Sequence, residues 1–220
     1  MYMFKIKPET HGEYFKFVMM TGLFCGLNAI GGHELIHKRE WYNKALGTWA
    51  YTKFFYSHFL DEHIKGHHKN IATDEDPATA RKGEIVYTFV VRSAIGSHLN
   101  VASMENKRVL KEHGEDVSML KRVMYNKMTQ YFCLHATILT LIYVFLGWQS
   151  VKHQIVYSLA GMFYTEHINY IEHYGLQRQK DQNGIYESVN RMCSWNSLSS
   201  AAFFRIQRHS DHHCQGYRPY

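Results

Sequence analysis

The sequence predicts an all-α integral-membrane bundle with a histidine-rich helical cap on its cytoplasmic side. One observation is that three mainly apolar runs interrupt a chain whose mean hydropathy is only −0.36. A second is that eight of the 16 histidines lie in three short stretches, 33–37, 63–68 and 209–213. Because 220 residues are typical of one domain rather than two, we expect residues 1–220 to form a single membrane domain.

The composition excludes several other classes of protein. The formal net charge of +6 is moderate, and no known nucleic-acid motif is present, so nucleic acid is not an expected partner. An apolar fraction of 45% with only three prolines argues against extended disorder. The four cysteines form no CxxC pair, which argues against a disulfide scaffold or a zinc ribbon.

The first apolar run covers residues 15–32 and contains only two strongly polar residues, Lys16 and Asn28. About 17–25 residues of helix cross the hydrocarbon core of a bilayer, so this run is just long enough to span it. The residues around it carry no small-residue cleavage pattern, so we do not expect a secretory signal peptide. The run therefore predicts a membrane helix that leads directly into His33.

The second and third apolar runs cover residues 131–149 and 155–164. The second has no formally charged residue over 19 positions and is long enough to cross a bilayer. The third is shorter, but only a short joint at residues 150–153 separates it from the second, which predicts a helical hairpin. Buried helices of a soluble protein are the alternative explanation for these runs.

The distribution of lysine and arginine predicts the orientation of the membrane helices. Lys5, Lys7 and Lys16 lie at or before the first run, and Lys152 lies in the predicted hairpin joint. The other 21 of the 25 lysines and arginines lie on the side that carries the clustered histidines. Because cytoplasmic loops of membrane proteins are enriched in these residues, we expect the histidines to face the cytoplasm.

The segments between the apolar runs are predicted to be mainly helical. Residues 72–83, with Pro77 after an acidic stretch, mark the clearest break. Residues 105–127 alternate charged with apolar side chains at helical spacing, which is typical of a helix in solvent or on a membrane surface. We therefore expect helices on both sides of the break.

His33 and His37 belong to the sequence His-Glu-Leu-Ile-His. Positions i and i+4 lie on the same face of a helix, so both imidazoles can reach one metal ion. The same spacing occurs in zinc metalloproteases, in which the glutamate is the base. Here, however, the pair ends an apolar run of membrane length, which the helix of a soluble protease would not need.

Two further histidine clusters repeat this helical spacing. Eight imidazoles exceed the four ligands that one zinc ion uses, so we expect two metal ions with nitrogen-rich coordination. Iron, zinc, copper and nickel all accept imidazole, so the spacing does not choose the metal. Glu62 and Asp211 lie beside or within these clusters, where a carboxylate can orient a ligating imidazole. The predicted ligands from these clusters are His63, His67, His68, His209, His212 and His213.

Several other histidines stand alone in the sequence, and we predict that they are structural or lie on the surface. His135 lies within the longest apolar run, where a hydrogen bond in the core is a better explanation than a metal. The others of this kind are His11, His58, His98, His113 and His153.

The residues around the clusters resemble those of a known group of membrane enzymes. Clusters of the form HxxxH, HxxxHH and HxxHH resemble the histidine-box di-iron superfamily of membrane desaturases and hydroxylases. The residues nearby are similar to the alkane 1-monooxygenase pattern, and they include a motif around residue 173 that desaturases lack. The resemblance covers residues 33–213 and is carried by His33-Glu-Leu-Ile-His-Lys38, Gly66-His-His, Ala72-Thr-Asp-Glu-Asp-Pro-Ala78, Asn169-Tyr-Ile-Glu-His-Tyr-Gly-Leu176 with Arg178, Trp195-Asn-Ser197 and Gln207-Arg-His-Ser-Asp-His-His213.

The resemblance implies a ninth metal ligand, His173, and two non-haem iron ions as the metals. It implies insertion of one oxygen atom of O2 into the terminal C–H bond of an n-alkane or a fatty-acyl chain. It also implies electrons from rubredoxin, or a similar small iron–sulfur carrier, and its NAD(P)H-dependent reductase. We expect Glu166, Glu172 and Asp76, together with Asp211, to lie behind the ligands, with a plain surface salt bridge as the alternative for each.

Two other functions stay open at this point. A desaturase, or a hydroxylase of lipid or aromatic methyl groups, would share the three clusters. A truncated, inactive metal-binding membrane protein is the other alternative. The family has more membrane helices before the first cluster and continues beyond His213, so we expect this sequence to be a fragment or an abbreviated member.

Overall fold

The fold is described from a computed structural model of the chain, over residues 10–196 and 209–215. In those two ranges every regular element is helical, apart from one antiparallel bridge between Lys180 and Tyr186. The predicted all-α class is therefore confirmed. The α-helices are α1 (His11–Ile36), α2 (Trp41–Thr52), α3 (Phe59–Asp61), α4 (His68–Asn70), α5 (Val86–His113), α6 (Met119–Tyr125), α7 (Lys127–Leu146), α8 (Trp148–His173) and α9 (His209–Cys214), with a π turn at Glu62–His67 and a 3-10 turn at Arg191–Cys193.

Two helices in the described part of the chain are long and apolar enough to cross a membrane: Gly12–Ile36 of α1, and α7. α1 begins with a capping box, in which the Thr10 hydroxyl accepts from the Glu13 N–H and the Glu13 carboxylate accepts from the Thr10 N–H. In α7, no residue of the most apolar 18-residue stretch is buried inside the protein. That stretch faces outward, as contact with lipid requires, and by length and composition these two helices are the candidates for the membrane part of the predicted bundle.

α7 and α8 form a helical hairpin whose turn lies earlier than the sequence indicated. The turn is Gly147, with a φ of 79°, a left-handed conformation that costs glycine little. Residues 150–153, predicted as the joint, lie inside α8 because none of them interrupts the helix. α7 starts with an ion pair to Asp61, and α8 ends at His173, whose ring centroid lies 4.7 Å from that of His67. The two helices therefore run in opposite directions.

The prediction of a single helix over residues 105–127 is wrong. α5 ends at His113, Gly114 adopts a φ of 86°, and the next helix, α6, starts only at Met119. The charge pattern continues across Gly114, but a residue in this conformation ends the hydrogen-bond ladder of a helix. The predicted break at residues 72–83 is confirmed, since they contain turns but no helix.

α1 packs against both α2 and α8, and this packing brings the end of α1 next to the helical segment 59–70. α1 and α2 approach closely: a Cβ on Gly47 would lie 2.6 Å from Ile36 Cγ2 and 2.8 Å from the Gly32 carbonyl oxygen. Only glycine fits at that position. The buried side chains of this core are Cys25, Ala29, Ile36, Tyr51, Phe54, Tyr56 and Phe59.

Candidate metal centre

All nine predicted histidine ligands lie in the described part of the chain, and the structure brings them together at one end of the bundle. They come from four places: the end of α1, the helical segment 59–70, the end of α8, and α9. Six of the nine are buried and three are partly buried. The nine are His33, His37, His63, His67, His68, His173, His209, His212 and His213.

The first cluster of potential ligand atoms comes from α1, the π turn and α9. One ring nitrogen from each of His33, His37, His63 and His212 lies within 4.8 Å of the others. The Nε2 atoms of His33 and His63 are 2.8 Å apart. His68 adjoins this cluster, because its Nε2 lies 3.1 Å from His63 Nε2 and 3.0 Å from His212 Nε2.

The second cluster comes from the π turn, the end of α8 and α9. His67, His173 and His213 form one group with ligand atoms within 4.8 Å, and Glu172, His173 and His209 form another. His209 Nε2 lies 2.8 Å from His213 Nε2 and 3.1 Å from a Glu172 carboxylate oxygen. Because His173 belongs to both groups, they form one cluster. Two clusters with at least three ligands each could hold two metal ions.

Unpartnered ring nitrogens show that this donor set fits metal ions. His37 Nε2, His67 Nε2 and His173 Nε2 are buried and have no hydrogen-bond partner in the described part of the chain. A buried polar atom without a partner costs about 1–3 kcal/mol, so three in one place need an explanation. Metal ions would be the missing partners of these nitrogens, and imidazole nitrogen suits iron, zinc and copper alike.

Burial favours the neutral form of several imidazoles of the centre. It lowers the pKa of His63, His68 and His209 well below the usual 6.5, and the neighbouring imidazoles lower it further. Burial and the nearby His67 likewise lower the pKa of His173 to about 3. A neutral imidazole has a lone pair to offer a metal ion, whereas the protonated ring does not. These histidines are therefore in the ligating state at neutral pH.

Asp76 is the carboxylate that most clearly orients a ligand. It lies 2.8 Å from His67 Nδ1 and is fully buried. The Ala78 N–H and the Thr79 hydroxyl both donate to it. Burial alone would lower the pKa of His67, but Asp76 outweighs burial and raises it. The pair leaves His67 Nε2, the opposite ring nitrogen, directed at the centre.

The other four predicted carboxylates have different partners. Glu172 lies among the potential ligands themselves, beside His209, and burial raises its pKa to about 8. Glu62 accepts from Asn100, Glu166 accepts from Tyr56 and Asn169, and Asp211 forms an ion pair with the exposed Arg191.

Some residues that support the centre carry no signal in the sequence. Asn100 reaches Glu62 from α5, and the Cys193 carbonyl oxygen lies 3.2 Å from His173 Nδ1. Neither contact follows from local spacing, because each joins separate segments of the chain. Thr79 could have been found, since a short Asp-Pro-x-Thr sequence is typical of a turn in which the aspartate bonds backbone nearby.

Arg178, part of the motif around residue 173, has a supporting role. Its buried guanidinium donates to the carbonyl oxygens of Lys69 and Ile71, which follow His68 in the sequence, and to that of Glu187. It thereby ties the segment after α8 to the end of α4. Three other motif residues, Ser197, Gln207 and Arg208, lie outside the described residues.

A small cavity of about 40 Å³, partly open to solvent, adjoins both clusters. His33, His63 and His209 line one side of it. Apolar or aromatic side chains from α1, α2, α3 and α8 line much of the rest, and polar side chains of α8 complete it. These residues are Ala29, Ile30, Tyr51, Phe59 and Ile168, with Thr165, Asn169 and Glu172.

Comparison with known proteins gives consistent matches. The family model described as fatty acid desaturase matches residues 14–220. The chain is 36% identical over 211 residues to Alkane 1-monooxygenase 1 of Alcanivorax borkumensis, covering 94% of this chain and 51% of that protein. It is 35% identical over 217 residues to Alkane 1-monooxygenase of Ectopseudomonas oleovorans, covering 97% and 53%. It is also 27% identical over 190 residues to the xylene/toluene monooxygenase hydroxylase component of Pseudomonas putida, covering 84% and 48%. The chain spans about half the length of these relatives.

Proposed function

The chain belongs to the fatty acid desaturase family, and from this membership we propose that it is a membrane-bound, non-haem di-iron monooxygenase. Its reaction is hydroxylation of the terminal carbon of n-alkanes or fatty-acyl chains. The observation that carries this proposal is the convergence of nine histidines from four segments on two adjoining clusters. The similarity to alkane 1-monooxygenases over more than nine-tenths of the chain supports the choice of reaction.

We propose that each cluster holds one iron ion. His33, His37, His63 and His212 would hold the first, with His68 beside them. When bound, the iron pair would supply the activation of O2 that insertion of an oxygen atom into a C–H bond requires. The second ion would be held by His67, His173, His209 and His213.

The residues of the chain would orient the substrate and exclude water. The cavity beside His33 and His63 is lined in part by Ile30, Tyr51 and Phe59, which offer apolar contact to a hydrocarbon end. A dry pocket limits side reactions of a strong oxidant. The second oxygen atom of O2 leaves as water, which takes two electrons and two protons. We propose rubredoxin, or a similar carrier with its NAD(P)H-dependent reductase, as the electron source.

We also propose that the centre faces the cytoplasm, which the placement of lysine and arginine supports. All three histidine stretches of the sequence must reach the same metal centre, so the loops that flank the centre must lie in one compartment. Tags inserted at the exposed Gly83 and Gly184 should both react with a probe from the cytoplasmic side. Labelling from opposite sides would rule out the joint metal site.

The decisive experiment combines metal analysis with an assay. Purified protein should contain about two irons per chain, because nine imidazoles exceed the ligand number of one ion, and should form a terminal alcohol from an n-alkane with rubredoxin and its reductase. One zinc and no iron would contradict the proposal and favour the HExxH interpretation.

A second candidate is hydroxylation of an aromatic methyl group, favoured by the similarity to the xylene/toluene monooxygenase component. Desaturation of an acyl lipid is a further alternative within the superfamily. Product analysis separates them, since an alkene, a benzylic alcohol and a terminal alcohol are distinct. An inactive metal-binding membrane protein would retain metal and give none of these products.

A further inference from the structure

The histidine-rich stretch at residues 63–68 adopts an uncommon helical register. His63, His67 and His68 lie on or next to the π turn, in which the His68 N–H donates to the His63 carbonyl oxygen five residues back. In an α-helix, the side chains of two residues five positions apart point about 140° away from each other around the helix axis. In a π turn, which is closed by a hydrogen bond between positions five apart, those positions come much closer to the same face. Accordingly, His63 Nε2 and His68 Nε2 are only 3.1 Å apart.

This register sends the three imidazoles to two places. His63 and His68 face the first cluster. His67 belongs to the second cluster, and its ring centroid lies 4.7 Å from that of His173 and 4.8 Å from that of His213. An α-helical register would instead place His63 and His67 on one face and turn His68 away from both. The π turn therefore divides the histidines of residues 63–68 between the first and the second cluster.

A pair of side chains lies across the turn. The Glu62 carboxylate is buried, and Asn100 Nδ2, from α5, lies 3.0 Å from each of its oxygens. Beneath the pair is Gly66, where a Cβ would lie 2.7 Å from Glu62 Oε1 and 2.9 Å from Asn100 Nδ2. The pair therefore sits directly on the backbone of the π turn, and only glycine leaves room for it.

We propose that Asn100 is a positioning residue that, through Glu62, holds residues 63–68 in the π register and so creates two separate metal positions. This inference rests on the proposed two-metal centre. A π turn is rare and occurs mostly as a single turn within α-helical segments, frequently at functional sites. Asn100 supplies a restraint on it from a different helix. Without it, the turn relaxes towards the α register, and His63 and His68 no longer share the first cluster.

The test compares metal content in variants of the full chain, purified in detergent and loaded with Fe2+ or Co2+. Asn100→Leu keeps the size of the side chain and removes the donor. We expect bound metal to fall from about two ions per chain to about one, with a changed Co2+ absorption spectrum, because one ligand set is broken. The double variant Glu62→Gln with Asn100→Asp exchanges donor and acceptor, keeps the hydrogen bond, and should restore two ions and the original spectrum.

The matched control is Asn43→Leu. Asn43 donates to Glu40 over 3.0 Å, the same pair of residue types, but on the exposed start of α2. This variant should bind the same metal as the unaltered chain. A second pair of variants tests the glycine: Gly66→Ala should lose metal as Asn100→Leu does, and Gly31→Ala should not, since a Cβ there meets no atom within 4 Å.

The outcomes separate the inference from the proposed function. If the unaltered chain does not bind two ions, the two-metal centre fails and the inference with it. If the unaltered chain binds two and Asn100→Leu also binds two with an unchanged spectrum, the inference alone is overturned. It is equally overturned if Asn100→Leu loses metal and the exchanged pair does not restore it, because the hydrogen bond is then not what matters.

Discussion

Two sets of buried and half-buried histidines in this protein differ in what their ring nitrogens contact. In the first set, at the metal centre, nitrogens of His37, His67 and His173 have no hydrogen-bond partner among the described residues. In the second set, His58 Nε2 lies 3.0 Å from the Ser97 hydroxyl and His98 Nδ1 lies 2.7 Å from a carbonyl oxygen.

The two sets share the electrostatic effect of burial. Burial lowers the pKa of His58 and of His98, as it does for His63, His68 and His209 at the centre. His135 completes the second set, with Nε2 2.7 Å from the Ser57 hydroxyl. A lowered pKa therefore does not distinguish a metal ligand from a structural histidine. The distinguishing feature is convergence of ring nitrogens that no protein group satisfies.

The largest effect is expected from removing a ligand of the centre. His173→Ala deletes one nitrogen donor, so iron content should fall and alcohol formation should drop by at least about 100-fold, since even residues that only orient ligands contribute about 10–100-fold. The measurement is iron per chain and product formed, at equal membrane expression.

The control for that prediction is His113→Ala. His113 is exposed and stacks on Tyr125, and surface changes usually alter stability by less than about 0.5 kcal/mol. Full iron and full activity in His173→Ala would contradict the ninth-ligand assignment. A desaturase would then explain the three clusters equally well.

A smaller effect is expected from the carboxylate behind His67. Asp76→Ala removes the group that fixes the orientation of this ring, so metal affinity should fall about 10- to 100-fold. Competition with a chelator measures it. Asp74→Ala, in the same turn but exposed, should leave the affinity unchanged. Equal affinity in both variants would mean that His67 is held in place without Asp76.

The smallest effect on metal is expected in the second set of histidines. Ser97→Ala removes the hydroxyl next to His58 and Tyr56, which should lower the free energy of unfolding by about 1–3 kcal/mol and leave metal content unchanged. Thermal unfolding and metal analysis test both parts. Thr140→Ala, on the exposed face of α7, is the control. Loss of metal in Ser97→Ala would remove the distinction between the two sets.

Much of the fold follows from local patterns in the sequence. The apolar run at residues 131–149 corresponds to α7, and the break at residues 72–83 was correctly predicted. The errors lie at single glycines. Gly147 ends α7 and Gly114 ends α5 in left-handed conformations, whereas charge and apolar patterns continue smoothly past such a residue. Periodicity reports which face of a helix is buried, but not where the backbone turns.

The sequence by itself determined the helical class, the membrane-length runs and the eight clustered histidines, because each depends on residues near one another in the chain. The ninth predicted ligand, His173, came from the family resemblance. Only the tertiary structure decided how those histidines divide into two clusters. It also decided that Asp76 supports His67, that Glu172 lies among the clustered histidines, and that Asp211 pairs with Arg191. These contacts join different segments of the chain, and in our proposal a side chain of α5 retains the π turn that divides His67 from His68. No local spacing encodes them, because each depends on how those segments pack together.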